Sequence, residues 1–249
     1  QQFHGGTGDS DDPFQIASAA QLPQIGADLS LLDKCYVLNN DIDLDPNKAA
    51  GRVFQKAVIA PSIESNVSTE ASPLIMLLGD TSVAVFQGSF NGNGHVIRNM
   101  TISAGQGQAL GLFGYVGAQA SICDLRLENA RVAGQRHLGL LAGINFGSIA
   151  YCRVSGAVNG DNRVGGLIGT NRGNVTCCQS DSQVAGKDIV GGLVGHMLIN
   201  TSMINCQAQG QVCGDSHVGG LIGQMLRGKV IGCSASGTVH SETNAGGLI

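Results

Sequence analysis

The sequence predicts an all-β fold, a solenoid of stacked coils of about 26 to 28 residues each, and three observations predict it. A glycine-pair word recurs with its first glycine at Gly165, Gly191, Gly219 and Gly246, at spacings of 26, 28 and 27 residues. Cys152, Cys178, Cys206 and Cys233 each stand 13 residues before the next unit's first glycine, and Val158, Val184, Val212 and Val239 each follow their cysteine by six. Within the units the runs "GLIG", "NVTCCQS" and "SQVAG" are short, β-branched, alternating and punctuated by glycine, which reads as strand and not helix. A fixed period of 20 to 50 residues is the mark of a solenoid.

The units run 139–164, 165–190, 191–218 and 219–245, after a divergent one at about 110–138. Length varies only between the glycine word and the cysteine, so insertions are expected at one corner of the coil. Three short strands per coil, pairing in parallel with the coils above and below, predict nine or so coils and a rod on the order of 45 Å long. Glycine is expected at corners that need positive φ or close approach, with Leu, Val, Ile and Cys filling the interior. The whole chain, 1–249, is expected to be one solenoid domain. Residues 1–109 would form an irregular N-terminal cap and coils, and 110–249 the regular repeats, which end on "GGLI" and are expected to continue past Ile249.

Composition agrees with a thin, regular core: 38 Gly, 7 Phe, 3 Tyr, no Trp and 13% charged residues. Fourteen basic against eighteen acidic residues, with no Lys/Arg cluster, argue against nucleic acid as a partner. Apolar runs such as "PLIMLLG" at 73–79 are far shorter than a membrane span, so no membrane insertion is expected. A start at Gln1 suggests a removed leader or a boundary within a longer chain. Four N-x-S/T sequons lie at Asn66, Asn99, Asn174 and Asn200.

The words "GLFG" at 111, "GGLIG" at 165, "GGLVG" at 191 and "GGLIG" at 219 resemble the GLUG repeat, Gly-Leu-hydrophobic-Gly, of secreted and surface proteins mainly of bacteria. "GTGDSDDPFQIASAAQLPQIG" from Gly6, "CYVLNNDIDLD" from Cys35 and "FQGSFNGNGHVIRNMTI" from Phe86 look like the usual N-terminal part of that architecture. The resemblance implies a right-handed parallel β-helix within an adhesin-like or peptidase-associated surface protein. It implies no activity, since fold does not fix function. Two units depart from the word: "LGLLAG" at 138–143 has Leu140 at the second glycine, and the first unit is read with Leu110 at its first glycine.

Cys152, Cys178, Cys206 and Cys233 are read as a buried, reduced structural ladder. Stacked side chains point in parallel, which disfavours a disulfide, and no C-x₂-C spacing suggests zinc. Pleat alternation turns Cys177 and Cys213 outward. The carboxylate groups Asp9, Asp11, Asp12 and Asp41, Asp43, Asp45 invite calcium but match no binding loop, and alternation puts Ile42 and Leu44 inward, leaving the second group as outer surface. No cofactor is therefore expected. Asp161, Asp181, Asp188, Asp215 and Glu242 scatter around corners and do not form the paired carboxylates of a glycosidase. His137 and His217 share one corner two or three coils apart, too far to share a metal, and His95 is read as a turn cap.

These readings converge on an extracellular, non-enzymatic scaffold, secreted or at the cell surface, adhesin-like in attaching or displaying. Its partner would be a surface glycan, a protein, or further copies of itself end to end. The apolar insertion "HMLINTSM" at 196–203 supplies Met197, Leu198 and Ile199 as the candidate contact. Two alternatives remain open: a polysaccharide-cleaving β-helix using residues such as Arg98 or Lys56, and a self-assembling filament subunit, because an open coil end is an unpaired edge.

Overall fold

A computed structural model describes residues 3–48, 51–61 and 84–249; Asn66 and the apolar run at 73–79 lie outside them. The described chain is a parallel β-solenoid whose strands stack into four sheets; a regular coil gives one strand to each of the first three and one long strand or two short ones to the fourth. In one coil these are Arg136–Leu138 in the first sheet, Ala142–Asn145 in the second, Ser148–Ala150 in the third and the long strand Arg153–Asn159 in the fourth. Four strands, and not three, make a coil, because the glycine word bends the chain sharply between the first and second sheets. Among the described residues the fourth sheet holds eleven strands on a branched path, the third eight in one unbranched stack, the first six and the second five. The described residues accordingly stack to fewer than nine coils.

Each sheet pairs a residue with its counterpart one repeat later, so inward residues form ladders. The central rung of the third sheet runs Phe14, Tyr36, Phe90, Ile122, Ile149, Val175, Met203, Val230. Six rings, Phe3, Phe14, Tyr36, Phe86, Phe90 and Phe113, touch in a chain at the N-terminal end, with centroids such as Phe86 and Phe113 5.1 Å apart. The aromatic rings of the main core are therefore gathered at one end, and that core is thin only beyond them. The short helix Leu22–Ala27 covers that end: Pro23 sits in its first turn, where a missing N–H is harmless, and Leu22 and Ile25 are fully buried.

The glycine word works by close approach. A Cβ on Gly165, Gly191 or Gly219 would lie 1.9 to 2.1 Å from the carbonyl oxygen three residues on, that of Ile168, Val194 or Ile222. At the second position, a Cβ on Gly166 would strike the Ser180 hydroxyl at 2.1 Å, and one on Gly192 the Gly220 carbonyl at 2.2 Å. Positive φ falls elsewhere, on residues with side chains: Ala109, His137, Arg163, Ile189, His217 and Asn244 at the first-sheet corner, and Asp124, Tyr151, Cys177 and Asn205 after the third sheet. Left-handed backbone is costly for such residues. It persists here because the ladders on either side of each corner fix the path of the chain.

The register defines the first unit from both sides of the bend. Leu110 pairs with Leu138, which pairs with Val164, while Phe113 pairs with Ala142, which pairs with Ile168, so the first unit is one residue short there and Gly111 alone stands where later units have the glycine pair. In the second unit Leu140 stands at the second position. Farther along, glycine there is matched across the core by small partners: the facing fourth-sheet ladder shrinks from Leu127 and Val154 to Ser180, Ala208 and Ala235.

Candidate contact corner

The corner between the second and third sheets is where the regular coils differ in length. From Asn145 to Ser148, and from Asn171 to Asn174, the chain crosses it in three steps. From Met197 to Ser202 it takes five, and from Met225 to Lys229 four. Those extra residues account for the unit lengths of 28 and 27 against 26.

Each short corner is closed by a buried asparagine. The Asn145 amide donates to Asn171 Oδ1 at 2.8 Å, and its own Oδ1 accepts from Gly147 N at 3.0 Å. Asn171 repeats the device, donating to the Gly173 carbonyl at 3.0 Å and accepting from Gly173 N. Both side chains are fully buried, so their bonds satisfy corner backbone groups that would otherwise be stranded away from water. On the same ladder the longer corners carry Met197 and Met225. A longer corner bends too far out for an asparagine to reach its backbone, and an apolar side chain fills the rung instead.

This placement changes the candidate contact. Met197 is fully buried in the core and cannot touch a partner; its burial follows from inheriting the inward asparagine rung. Leu198 is half-buried and Ile199 is 43% exposed, with Leu226 of the next coil exposed beside them on the same corner. Thr201 tucks its hydroxyl onto the Leu198 carbonyl at 2.9 Å, and Ser202 donates to Asn174 Oδ1 at 2.7 Å. Alongside lies an open groove of about 430 Å³ lined by Asn174, Asn200, Thr201, Ser202, Arg227, Gly228 and Lys229. Hydroxyls, amides, a guanidinium and an ammonium make it rich in hydrogen-bond donors, with no carboxylate on its walls. The sequence signalled the corner through its variable length but not which of its side chains point out.

The other singled-out residues have structural settings. Cys152, Cys178 and Cys206 are buried and Cys233 half-buried on one ladder, continuous with Leu125 of the preceding coil, and all four are free thiols. Each Sγ donates to the carbonyl two residues before it at 3.3 Å: Ala150, Thr176, Ile204 and Ile231. A bond to the adjacent thiol, together with burial, pushes the Cys178 and Cys206 thiols well above the ordinary range. Little thiolate then exists to react. Cys177 and Cys213 are half-buried.

Ile42 and Leu44 are buried, and Asp41 and Asp43 face outward into an ion-pair network. Arg98 bridges Asp41 and Glu128 at 3.0 Å each, His95 Nδ1 meets Asp41 at 3.1 Å, and Lys48 pairs with Asp43. The bonds from Lys48 and Asn99 hold the Asp43 carboxyl down to about 2. Arg98 is thereby occupied, and Lys56 is exposed. No group of three or more potential metal ligands occurs among the described residues.

Residues 214–239 match the family model of the GLUG motif. Halomucin of Haloquadratum walsbyi is 31% identical over 158 residues, which are 62% of this chain and 2% of halomucin; the chain spans only that small fraction of the curated relative it matches. A Bacteroides ovatus protein provisionally described as an immunoglobulin A1 protease superposes with a TM-score of 0.69. The match covers 98% of this chain and 78% of that one at 19% identity, so the likeness is one of fold.

Proposed function

We propose that this chain, a GLUG-motif repeat protein, is a surface-associated, non-enzymatic β-solenoid that attaches or displays through its variable corner. The observation that carries the reading is the corner itself. The stacked ladders confine the coils to one path, and among the coils from 139 onward the chain leaves that path at 198–201 and 226–228, beside a donor-rich groove. A surface glycan, whose hydroxyl and carboxylate oxygens need donors, fits the groove, while Leu198, Ile199 and Leu226 offer apolar contact to a sugar face or a protein. The GLUG match and the halomucin relative support a place at the cell surface, outside the cytoplasm.

A glycan array probed with the full chain tests the reading, with R227A/K229A as the comparison. Binding to acidic glycans that falls at least tenfold in the double variant supports it. Binding unaffected by the variant removes the groove from the reading. Cleavage of any glycan in the panel would overturn the non-enzymatic part and revive the polysaccharide-cleaving alternative.

A further inference from the structure

A second packed layer lies outside the main core, in the seam where the first and second sheets fold against each other. Glycines make the seam close: a Cβ on Gly169 would lie 2.4 Å from the His137 carbonyl carbon, and one on Gly195 would lie 2.7 Å from that of Arg163. At these rungs the corner ladder Ala109, His137, Arg163, Ile189, His217 meets the second-sheet ladder Tyr115, Ile144, Thr170, His196, Gln224. The early rungs are apolar, with Ala109, Tyr115 and Ile144 forming their own cluster. The middle rungs bring in the buried polar side chains of His137, Thr170 and His196, beside half-buried Arg163 and buried Ile189.

His137 is 3% exposed, with Nδ1 2.8 Å from the Thr170 hydroxyl and Nε2 3.4 Å from Arg163 Nη1. Facing a guanidinium, Nε2 can only accept, so the imidazole is neutral in this arrangement. His196 is 6% exposed, and neither of its ring nitrogens has a partner. The charge of Arg163 acts on both rings and that of Arg136 on His137. Among the described residues the carboxylate acting on His196 is Asp188, already engaged by Asn162, Ser216 and His217.

We propose that this seam is an acid-operated latch: protonation of His196 and then His137 adds two positive charges beside Arg163, and the first and second sheets part there while the third and fourth sheets stay stacked. Burial, reinforced by Arg163, lowers His196 to about 4 and His137 to about 3, from an ordinary 6.5. Both values are depressed, so the opened form binds more protons below about 6.5, and closure weakens as pH falls from there toward 4. Ordinary carboxylates stay largely ionised over most of that window.

The test is hydrogen exchange on the full chain between pH 7 and 4.5, corrected for the intrinsic pH dependence of exchange. Each imidazole is expected to remove about tenfold protection per pH unit below 6.5 from amides in 162–171 and 194–197, with those in 174–185 unchanged. H196Q places at this rung the residue that Gln224 supplies one coil later, and should remove about half of the pH-dependent loss. Protection that is flat with pH, that falls equally in all four sheets, or that falls identically in H196Q overturns the latch. If H196Q does not fold, imidazole titration by NMR decides: midpoints below 5 for His137 and His196 support it, and either midpoint near 6.5 overturns it.

Discussion

The two ends of the solenoid fill the same cross-section by opposite means. On the central rung of the third sheet, Phe14, Tyr36 and Phe90 give way to Ile122, Ile149 and Val175. The N-terminal coils are irregular in length and wrap around large rings. The later coils are regular and are drawn in by glycine until backbone meets backbone. Ring packing tolerates an irregular wall because a large side chain spans the gap. Backbone packing leaves no gap and so demands the same word in every coil. Regularity of sequence is thus a consequence of how thin the core is.

The comparison predicts opposite sensitivities. Phe113→Ala should cost about 3–5 kcal/mol, because a fully buried ring touching Phe86 and Phe90 leaves a cavity the ladders cannot close. Chemical denaturation would read the loss, and a cost under about 1 kcal/mol would mean that the aromatic end collapses freely. In the thin half enlargement should be the damaging change: Gly191→Ala puts a Cβ 2.0 Å from the Val194 carbonyl oxygen and should cost about 3 kcal/mol. A fully stable Gly191→Ala protein would show that the bend can widen and that glycine is not required there.

Asn171→Ala strands the Gly173 backbone and the Asn145 amide and should cost about 1–3 kcal/mol. Thermal melts of this variant, with and without two residues inserted after Arg172, sharpen the corner argument: the insertion should relieve the loss if corner length and rung chemistry are coupled. The smallest effect is expected for Cys178→Ser, about 1 kcal/mol, since the Thr176 carbonyl remains in reach of the hydroxyl. A loss near that of Phe113→Ala would mark the thiol ladder as a main support of the core.

Much of this was legible in the sequence, and the particular residues show why. The cysteines at constant offsets and the glycine word read out directly as ladders, because in a parallel stack the residue one period away is the neighbour above. The count of strands per coil was not legible, since a bend made by two glycines and a bend made by positive φ look alike on paper. Met197 read as exposed because its neighbours are apolar and loop-like; its burial depends on sharing a rung with Asn171, which only register reveals. His196 gave no signal of its own, standing first in the "HMLINTSM" insertion that reads as a contact corner.

The sequence by itself determined the period, the parallel stacking and the inward ladders, because these relate residues that repeat. Only the tertiary structure decided what faces what within a coil: that His137 meets Thr170 and Arg163, that His196 is sealed beside them, and that Ile199 and Leu226 share an exposed corner. Those pairings depend on the angle of the glycine bend and the stagger between sheets. Neither quantity recurs in the sequence, so neither leaves a period to be read.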